Sequence, residues 1–349
     1  MGQRRRCDRR WSAHGRWLGQ SVTNKETLKV AVIGGGHIAQ QHLPVLVDLL
    51  QAEVTTLVDA DAQTLAETAD RFAIPQRLSS HTDLLEKDPP DAVFVLVSVL
   101  HVPEVAAACI RVGIPTFLEK PPGLYTAQTR QLAELARQHK TLAMVGVNRR
   151  FYSTLLRGRE LLLEAGPVRS VLVEAHEDLQ RIRENPKFPD EVTRRWSTAN
   201  GVHALDLLRF FGGDVGHIAA THHLVEGPMP DCCTATIEFS DGAIGRALMD
   251  WFAPGGHRFE VRGTGTTLTG DAGYNSLTLQ QRGKEKVIIE ADEIDRRYKA
   301  GFYRQDETFL ECVRHNNPLP FPACDLDDAV KTMEMIDAIA GTKEKEDST

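Results

Sequence analysis

The segment 29–39, KVAVIGGGHIA, constrains the fold of this chain more than any other stretch. Its apolar, β-branched first half predicts a buried strand that ends at Gly34, and a helical pattern follows Gly36. In the spacing Gly34-x-Gly36-x-x-Ala39, the first glycine permits a tight turn, the second lets a phosphate approach the backbone, and the alanine lets the helix pack closely. The positive end of the helix dipole would face the phosphate. The segment therefore predicts the phosphate-binding turn of a dinucleotide fold.

An acidic residue at a suitable distance supports a dinucleotide as the ligand. A second apolar run, residues 54–58, ends in Asp59, which lies twenty residues after Ala39. A carboxylate at this place can accept hydrogen bonds from adenosine ribose hydroxyls and repels a 2′-phosphate. Because no arginine follows it directly, the pattern predicts NAD rather than NADP. The alternative interpretation is an ordinary glycine loop followed by a helix cap.

Strands and helices alternate between residues 28 and 148. The predicted strands are 29–33, 54–58, 92–97, 116–118 and 142–145, and the predicted helices include 62–72, 103–112 and 126–139. Strands separated by helices of this length are typical of a doubly wound parallel sheet. We therefore expect an α/β Rossmann domain over residues 28–148.

After residue 148 the pattern changes to runs of adjacent strands. These strands are predicted near 168–175, 217–225, 232–239, 244–252, 258–263, 276–281 and 286–290, with helices over 153–164, 201–211, 302–315 and 326–340. Short turns such as 240–242 indicate an antiparallel sheet. We expect an α+β domain with a large, mostly antiparallel open sheet over 149–325, then a C-terminal helix and solvated tail over 326–349. The broad face of such a sheet favours a homodimer or homotetramer.

Composition narrows the classes of partner. The chain has 349 residues and a formal net charge of −7, and no apolar run approaches the ~20 residues of a membrane span. We expect neither a membrane nor a nucleic-acid partner. Six cysteines without a CxxC pair predict free thiols in a reducing cytoplasm and no metal site. Residues 1–27 are rich in arginine and predict a disordered basic leader, with a nucleic-acid arm as the alternative.

Residues that follow the parallel strands are the first candidates for ligand contacts, because ligands of open α/β sheets bind beyond the carboxyl ends of strands. Lys120 follows the strand at 116–118, and the two prolines after it restrict its backbone, so it is a positioned cation. Arg149 and Arg150 follow the strand at 142–145, where they could contact a ligand or pair with acids across the domain junction.

Taken together, these motifs resemble the glucose-fructose oxidoreductase / inositol dehydrogenase / rhizopine-catabolism (Gfo/Idh/MocA) family. The matching segments, in family order, are 32–39, Asp59, Glu119-Lys120-Pro121, 145–151 and 201–206, the last with the sequence GVHALD. The resemblance implies an oxidoreductase that passes hydride between nicotinamide and a hydroxyl of a sugar, sugar acid or cyclitol. It further implies that Lys120 and His203 transfer the hydroxyl proton.

The resemblance also implies the other site residues. NAD would contact Gly34, Gly36, His37, Ile38, Ala39, Asp59, Ser98, Glu119 and Lys120, and the substrate would contact Lys120, Asn148, Arg149, Arg150, Asn200 and His203. Histidine suits a general base near neutral pH, whereas a lysine base needs its pKa lowered from about 10.4. Asp206, one helical turn after His203, is interpreted as structural.

One position departs from the family pattern. Where the family usually has an aspartate four residues before the histidine, this chain has Ala199. Asn200 or Thr198 could hydrogen-bond instead, but neither can act as a base. Two alternatives to a dehydrogenase stay open: an NAD-retaining enzyme that cleaves glycosides through transient oxidation, and a non-catalytic NAD- or sugar-binding regulatory module.

The segment 177–196, which precedes Ala199, is predicted to be a polar, charged loop. Its arginines could favour an anionic substrate, but interleaved acidic residues favour a solvated loop instead. The arginines are Arg181, Arg183, Arg194 and Arg195.

Overall fold

The computed structural model describes residues 27–87, 89–227, 229–271 and 273–342. The leader expected over 1–27 therefore lies outside the described residues except for Thr27, and so does the end of the expected tail, 343–349. The described chain forms one sheet of seven strands and one of eight. None of its helices is both long enough and apolar enough to cross a membrane. Among the same residues, no cluster of three or more His, Cys, Asp or Glu side chains could hold a metal ion.

The first sheet is parallel through its first six strands, which confirms the predicted Rossmann architecture. The strands are β1 (Leu28–Ile33), β2 (Ala52–Val58), β3 (Gln76–Leu78), β4 (Ala92–Val95), β5 (Thr116–Glu119) and β6 (Ala143–Gly146). Between them lie α1 (Ala39–Asp48), α2 (Ala62–Arg71), α3 (His81–Lys87), α4 (Val102–Arg111) and α5 (Thr126–His139). Strands β2, β1, β4 and β5 lie in adjacent order, so the residues that follow them meet at one edge.

The second sheet is antiparallel except for one parallel pair, β7 with β10. This confirms the prediction of a large, mostly antiparallel sheet. Its strands are β7 (Val168–Ala175), β8 (Val215–His223), β9 (Cys232–Phe239), β10 (Ile244–Asp250), β11 (His257–Gly263), β12 (Thr266–Gly270), β13 (Ser276–Gln281) and β14 (Val287–Glu290). Helical segments of this region are a 3₁₀ helix (Asn148–Phe151), α6 (Ser153–Glu164), α7 (Leu179–Arg183), α8 (Asp190–Arg194), a π-helical turn (Ser197–Gly201) and α9 (Val202–Gly212).

The two faces of this second sheet differ in polarity. Along β9, the alternate residues Cys233, Ala235, Ile237 and Phe239 are buried in the core that includes α9, while the residues between them are exposed. Alternation with period two places apolar residues on one face and polar residues on the other. Along β9, the outer face is consequently polar.

The expectation of a solvated loop over 177–196 was wrong. The segment contains α7 and α8, and both Val192 and Trp196 are buried against the core of the second sheet. Arg195 is also buried: it donates to the carbonyl oxygen of Leu124 and pairs with Asp337 at 2.7 Å. Charged residues lie on the outward sides of these two short helices, so the sequence pattern did not reveal the few apolar residues that pack inward.

The C-terminal segment returns to the first sheet. It contains α10 (Glu293–Arg297), α11 (Phe302–His315), β15 (Cys324–Asp325) and α12 (Leu326–Ala340). Phe302 and Phe309 of α11 pack in the core that contains β1 and β4, and β15 pairs antiparallel with β6. The expected division placed 302–325 in the second domain. We propose instead that 302–325 belong with the Rossmann domain, and that α12, which packs against both cores, bridges the two.

A buried histidine connects α1, β5 and α11. His42 of α1 is fully buried; its Nδ1 lies 2.8 Å from Asp306 Oδ2 and its Nε2 lies 3.1 Å from Glu119 Oε1. Burial alone would lower the pKa of His42, but the two carboxylates overcome burial and raise the pKa to about 9. Burial raises the pKa of Asp306 to about 6. At neutral pH the group is therefore an imidazolium between two carboxylates.

We expect His42→Leu to lower the free energy of unfolding by about 3–5 kcal/mol at pH 7, because it leaves two buried carboxylates without their cation. The folded-state pKa is raised from 6.5 to about 9. The stabilisation from His42 is therefore complete below about pH 6.5 and is lost as pH rises through about 9. Denaturant unfolding followed by circular dichroism between pH 6 and 10 measures both effects.

The matched control is His315→Leu, which removes a partly exposed histidine that pairs with Glu311 on α11. A surface pair of this kind contributes about 0–1 kcal/mol. Two results would contradict the stabilising role of the His42 imidazolium. One is equal stability of His42→Leu and the wild type at pH 7, and the other is the same loss of stability with rising pH in these two proteins.

Candidate active site

The turn after β1 has room for a phosphate. Gly34 has φ = 102°, and a Cβ atom there would lie 2.7 Å from the carbonyl oxygen of Leu96, so only glycine fits without strain. A Cβ atom on Gly36 would meet no atom within 4 Å, so this residue borders open space. Ala39, the first residue of α1, is fully buried, and among the described residues no side chain caps the helix N-terminus at Ile38. These features fit a pyrophosphate held by backbone N–H groups.

Asp59 is fixed against the same turn. Its Oδ2 accepts a hydrogen bond from the Gly35 N–H at 2.7 Å, and its Oδ1 accepts one from the Asp61 N–H at 2.9 Å. Each carboxylate oxygen keeps a further lone pair for a ribose hydroxyl. His37 and Ser98 are exposed at this edge, beyond β1 and β4 respectively. The structure therefore places Asp59 against the turn 34–39, with His37 and Ser98 exposed beyond the ends of strands of the same sheet.

Lys120 lies just beyond β5 and reaches across to the second domain. Its Nζ donates a hydrogen bond to the carbonyl oxygen of Ala199 at 3.0 Å, in the π-helical turn before α9. Burial lowers the pKa of Lys120 to about 8, and the charges of Lys299 and Arg149 act in the same direction. A lysine with this pKa is present in both protonation states near neutral pH.

His203, the second residue of α9, is a neutral imidazole. Burial lowers its pKa well below 6.5, and the positive charges of Lys120 and Arg149 lower it further. Its Nδ1 is buried and has no hydrogen-bond partner among the described residues. Since buried polar atoms are nearly always paired, this nitrogen suits a substrate hydroxyl.

Two residues of the second domain that the sequence did not single out complete the surroundings. Glu177, beyond β7, accepts hydrogen bonds from Trp196 Nε1 at 2.6 Å and from Asn200 Nδ2 at 2.9 and 3.0 Å. His257 Nε2 lies 3.0 Å from Glu177 Oε1, and His257 Nδ1 lies 3.0 Å from Arg149 Nη1. A neutral His257 with its proton on Nε2 satisfies both contacts. Nothing in the local sequence marks either residue, because they meet only through the fold.

The side chains of Arg149 and Asn148 make different contacts at this site. The guanidinium of Arg149 also lies over the ring of Tyr274, 4.8 Å from its centroid. Asn148 is buried, and its Nδ2 donates to the carbonyl oxygen of Ala300 at 3.1 Å. This contact holds the loop that carries Lys299, and the expected contact of Asn148 with a substrate stays a prediction.

Arg150, for which a substrate contact was expected and a pairing across the domain junction was the alternative, forms an ion pair. Its Nε and Nη2 donate to both carboxylate oxygens of Asp206 at 2.7 and 2.6 Å, and its Nη1 donates to Asp328 at 2.5 Å. Arg150 is 4% exposed and Asp206 is 1% exposed. This buried pair satisfies the guanidinium, so Arg150 connects the domains, and Asp206 has the structural role that was expected.

Comparison with known proteins identifies the family. Residues 28–147 match the Gfo/Idh/MocA model described as "Oxidoreductase family, NAD-binding Rossmann fold", and residues 196–346 match the one described as "Oxidoreductase family, C-terminal alpha/beta domain". These matches confirm the resemblance found in the motifs.

Individual relatives agree with the family match. Inositol 2-dehydrogenase 2 of Saccharopolyspora erythraea is 26% identical over 258 residues, which cover 72% of this chain and 73% of that protein. Myo-inositol dehydrogenase Hyg17 of Streptomyces leeuwenhoekii is 25% identical over 71% of this chain and 78% of its own. The crystal structure of GenD2 from gentamicin A biosynthesis, in complex with NAD, has a TM-score of 0.71 and 26% identity, covering 94% of this chain and 99% of that one. This chain is therefore an NAD-binding oxidoreductase of the Gfo/Idh/MocA family.

Proposed function

We propose that this protein is an NAD-dependent dehydrogenase that acts on a hydroxyl of a sugar, sugar acid or cyclitol, with Lys120 accepting the hydroxyl proton and His203 orienting the hydroxyl for this proton transfer. The observation that supports this most is the junction of the two domains, where Lys120 Nζ contacts the Ala199 carbonyl. One helical turn later lies His203, whose Nδ1 has no hydrogen-bond partner within the described part of the chain. The names of the inositol dehydrogenase relatives support a polyol-like substrate.

In the cofactor half of the site, different residues would hold different parts of NAD. Bound NAD supplies the hydride acceptor. Backbone N–H groups of the turn 34–39 would hold its pyrophosphate, Asp59 its adenosine ribose, and the edge near Ser98 and Glu119 would carry the nicotinamide half toward Lys120.

The pKa values of the two proton-transfer groups assign them different roles. Lys120, with a pKa of about 8, is matched to the pH range in which a general base works best. His203, with a pKa well below 6.5, is neutral and weakly basic. In the oxidation direction, the hydroxyl gives its single proton to the neutral Lys120 amine, while His203, with its own proton on Nδ1, donates a hydrogen bond to the hydroxyl oxygen and orients it.

A homodimer or homotetramer in the cytoplasm stays a prediction. It is supported by the broad outer face of the second sheet, on which residues of β9 are exposed. The five described cysteines are free thiols, which suits a reducing compartment.

Replacing Lys120 tests the proposed reaction. We expect Lys120→Ala to reduce kcat by about 10²–10⁴-fold in an NADH-forming screen over sugars, sugar acids and inositols. The wild-type kcat/KM should rise as pH increases through about 8, because the active form of Lys120 is the neutral amine, and the variant should lose this rise. NAD binding, measured by calorimetry, should persist.

Lys284→Ala is the control, since Lys284 is an exposed hairpin lysine. An unchanged rate in Lys120→Ala would overturn the proposal and favour a non-catalytic binding module. NAD that stays bound without net reduction, together with glycoside cleavage, would favour the glycoside-cleaving alternative.

Cofactor preference is tested at Asp59. We expect the wild type to bind NAD more tightly than NADP, and Asp59→Asn to reduce this preference by about tenfold or more, because like-charge repulsion of the 2′-phosphate is removed. Calorimetric titration with both cofactors measures the preference. Asp61→Asn, which alters a neighbouring helix-cap carboxylate, should leave it unchanged. Equal or tighter binding of NADP by the wild type would contradict the prediction.

A further inference from the structure

A carboxylate beside the proposed site has no role in the reaction as described so far. Glu177 extends from the end of β7, and its side chain is 13% exposed. Its two oxygens accept hydrogen bonds from Trp196, Asn200 and His257, at distances of 2.6 to 3.0 Å. Burial would raise the pKa of Glu177, but the hydrogen bonds from His257 and Trp196 lower it. Glu177 is therefore ionised at neutral pH.

The partners of Glu177 come from segments that meet at the site. Asn200 adjoins Ala199, whose carbonyl oxygen binds Lys120 Nζ, and both lie in the π-helical turn that leads into α9. His257, from β11, links Glu177 to Arg149 of the 3₁₀ helix. A single carboxylate thus connects the turn that holds Lys120 with the guanidinium on the other side of the site.

Charge also relates Glu177 to Lys120. The groups whose charges act on Lys120 are Glu119, Arg149, Glu177 and Lys299, and His257 is a further titratable group that faces His203. The two carboxylates favour the ammonium form of Lys120, while Arg149 and Lys299 disfavour it. Because Glu119 lies against the imidazolium of His42, Glu177 is the carboxylate at this site without a fully charged partner of its own among the contacts described.

We propose that Glu177 supplies, from the end of β7, the carboxylate that the site lacks at Ala199, and that it positions Asn200 and the His257–Arg149 pair around Lys120 and His203. Glu177 acts through these residues, so it is a positioning residue. The inference rests on the proposed dehydrogenase function for its kinetic consequences. Its effect on Lys120 can be measured without any substrate.

The main variant is Glu177→Gln, which removes the charge at nearly constant size. We expect kcat/KM to fall about tenfold, because the amide group of glutamine cannot accept all the hydrogen bonds that the carboxylate accepts. We also expect the ascending limb of the pH profile to move to lower pH by about one unit, because Lys120 loses an attractive charge. A loss of packing alone would lower the rate without moving the limb.

The effect of the Glu177 charge on the pKa of Lys120 can also be measured without any reaction. Competitive labelling of amines with acetic anhydride, followed by mass spectrometry at several pH values, gives the pKa of Lys120 in the full-length protein. Glu177→Gln should lower this pKa. Glu174→Gln is the matched control, since Glu174 lies on β7 itself and pairs with the exposed Arg258; it should change neither the pKa nor the rate.

Glu177→Asp separates charge from geometry. It keeps the negative charge but shortens the side chain, so we expect the pH limb to stay near its wild-type position while kcat/KM still falls. This variant also serves if Glu177→Gln does not fold, a point that thermal unfolding decides.

Each outcome has a clear meaning. Unchanged kcat/KM and unchanged Lys120 labelling in Glu177→Gln would overturn the inference and leave the proposed function intact. A wild type with no dehydrogenase activity, but with a Lys120 pKa that falls in Glu177→Gln, would overturn the proposed function and retain the electrostatic link. Equal effects of Glu174→Gln and Glu177→Gln would show a general charge effect and overturn the assignment.

Discussion

The bidentate ion pair between Arg150 and Asp206 fixes the geometry on which the proposed site depends. Arg150 follows β6 of the Rossmann sheet, while Asp206 lies on α9, one turn after His203. Because both oxygens and two guanidinium nitrogens take part, the pair restrains distance and orientation together. Asp328 of α12 binds the same guanidinium. The position of His203 relative to the end of β5, where Lys120 stands, therefore follows from a buried contact that touches no ligand.

A second consequence of the fold is a shortage of negative charge near Lys120. Burial strengthens every Coulomb interaction at the site, and Arg149 and Lys299 both act against the ammonium form of Lys120. Glu119 offsets them only in part, since it is held at 3.1 Å by the imidazolium of His42. The protonation of the proposed base is therefore set by residues of four separate segments, and no short motif encodes it.

Local sequence predicted those features whose cause is local. The turn 34–39, the strand-end position of Lys120 and the antiparallel hairpins follow from periodicity and turn residues, and family resemblance added His203. The sequence analysis also missed several short elements, namely β3, α3, β12, α10 and β15, none of which is longer than 7 residues. Arg150 was misplaced because its partners lie 56 and 178 residues away in the sequence, where no periodicity points. The amphipathic pattern of α11 predicted a helix but could not say which of two cores it covers.

The departure at Ala199 illustrates how a backbone group can take part where a side chain is missing. The π-helical turn at 197–201 is a conformation that is rare in proteins and frequent at functional sites. It presents the Ala199 carbonyl oxygen to Lys120 at 3.0 Å, a contact that does not depend on the side chain at this position. A carbonyl oxygen can orient an amine but cannot carry a negative charge, so any charge the site requires has to come from elsewhere in the fold. Glu177, hydrogen-bonded to the next residue of the same turn, is placed to provide it.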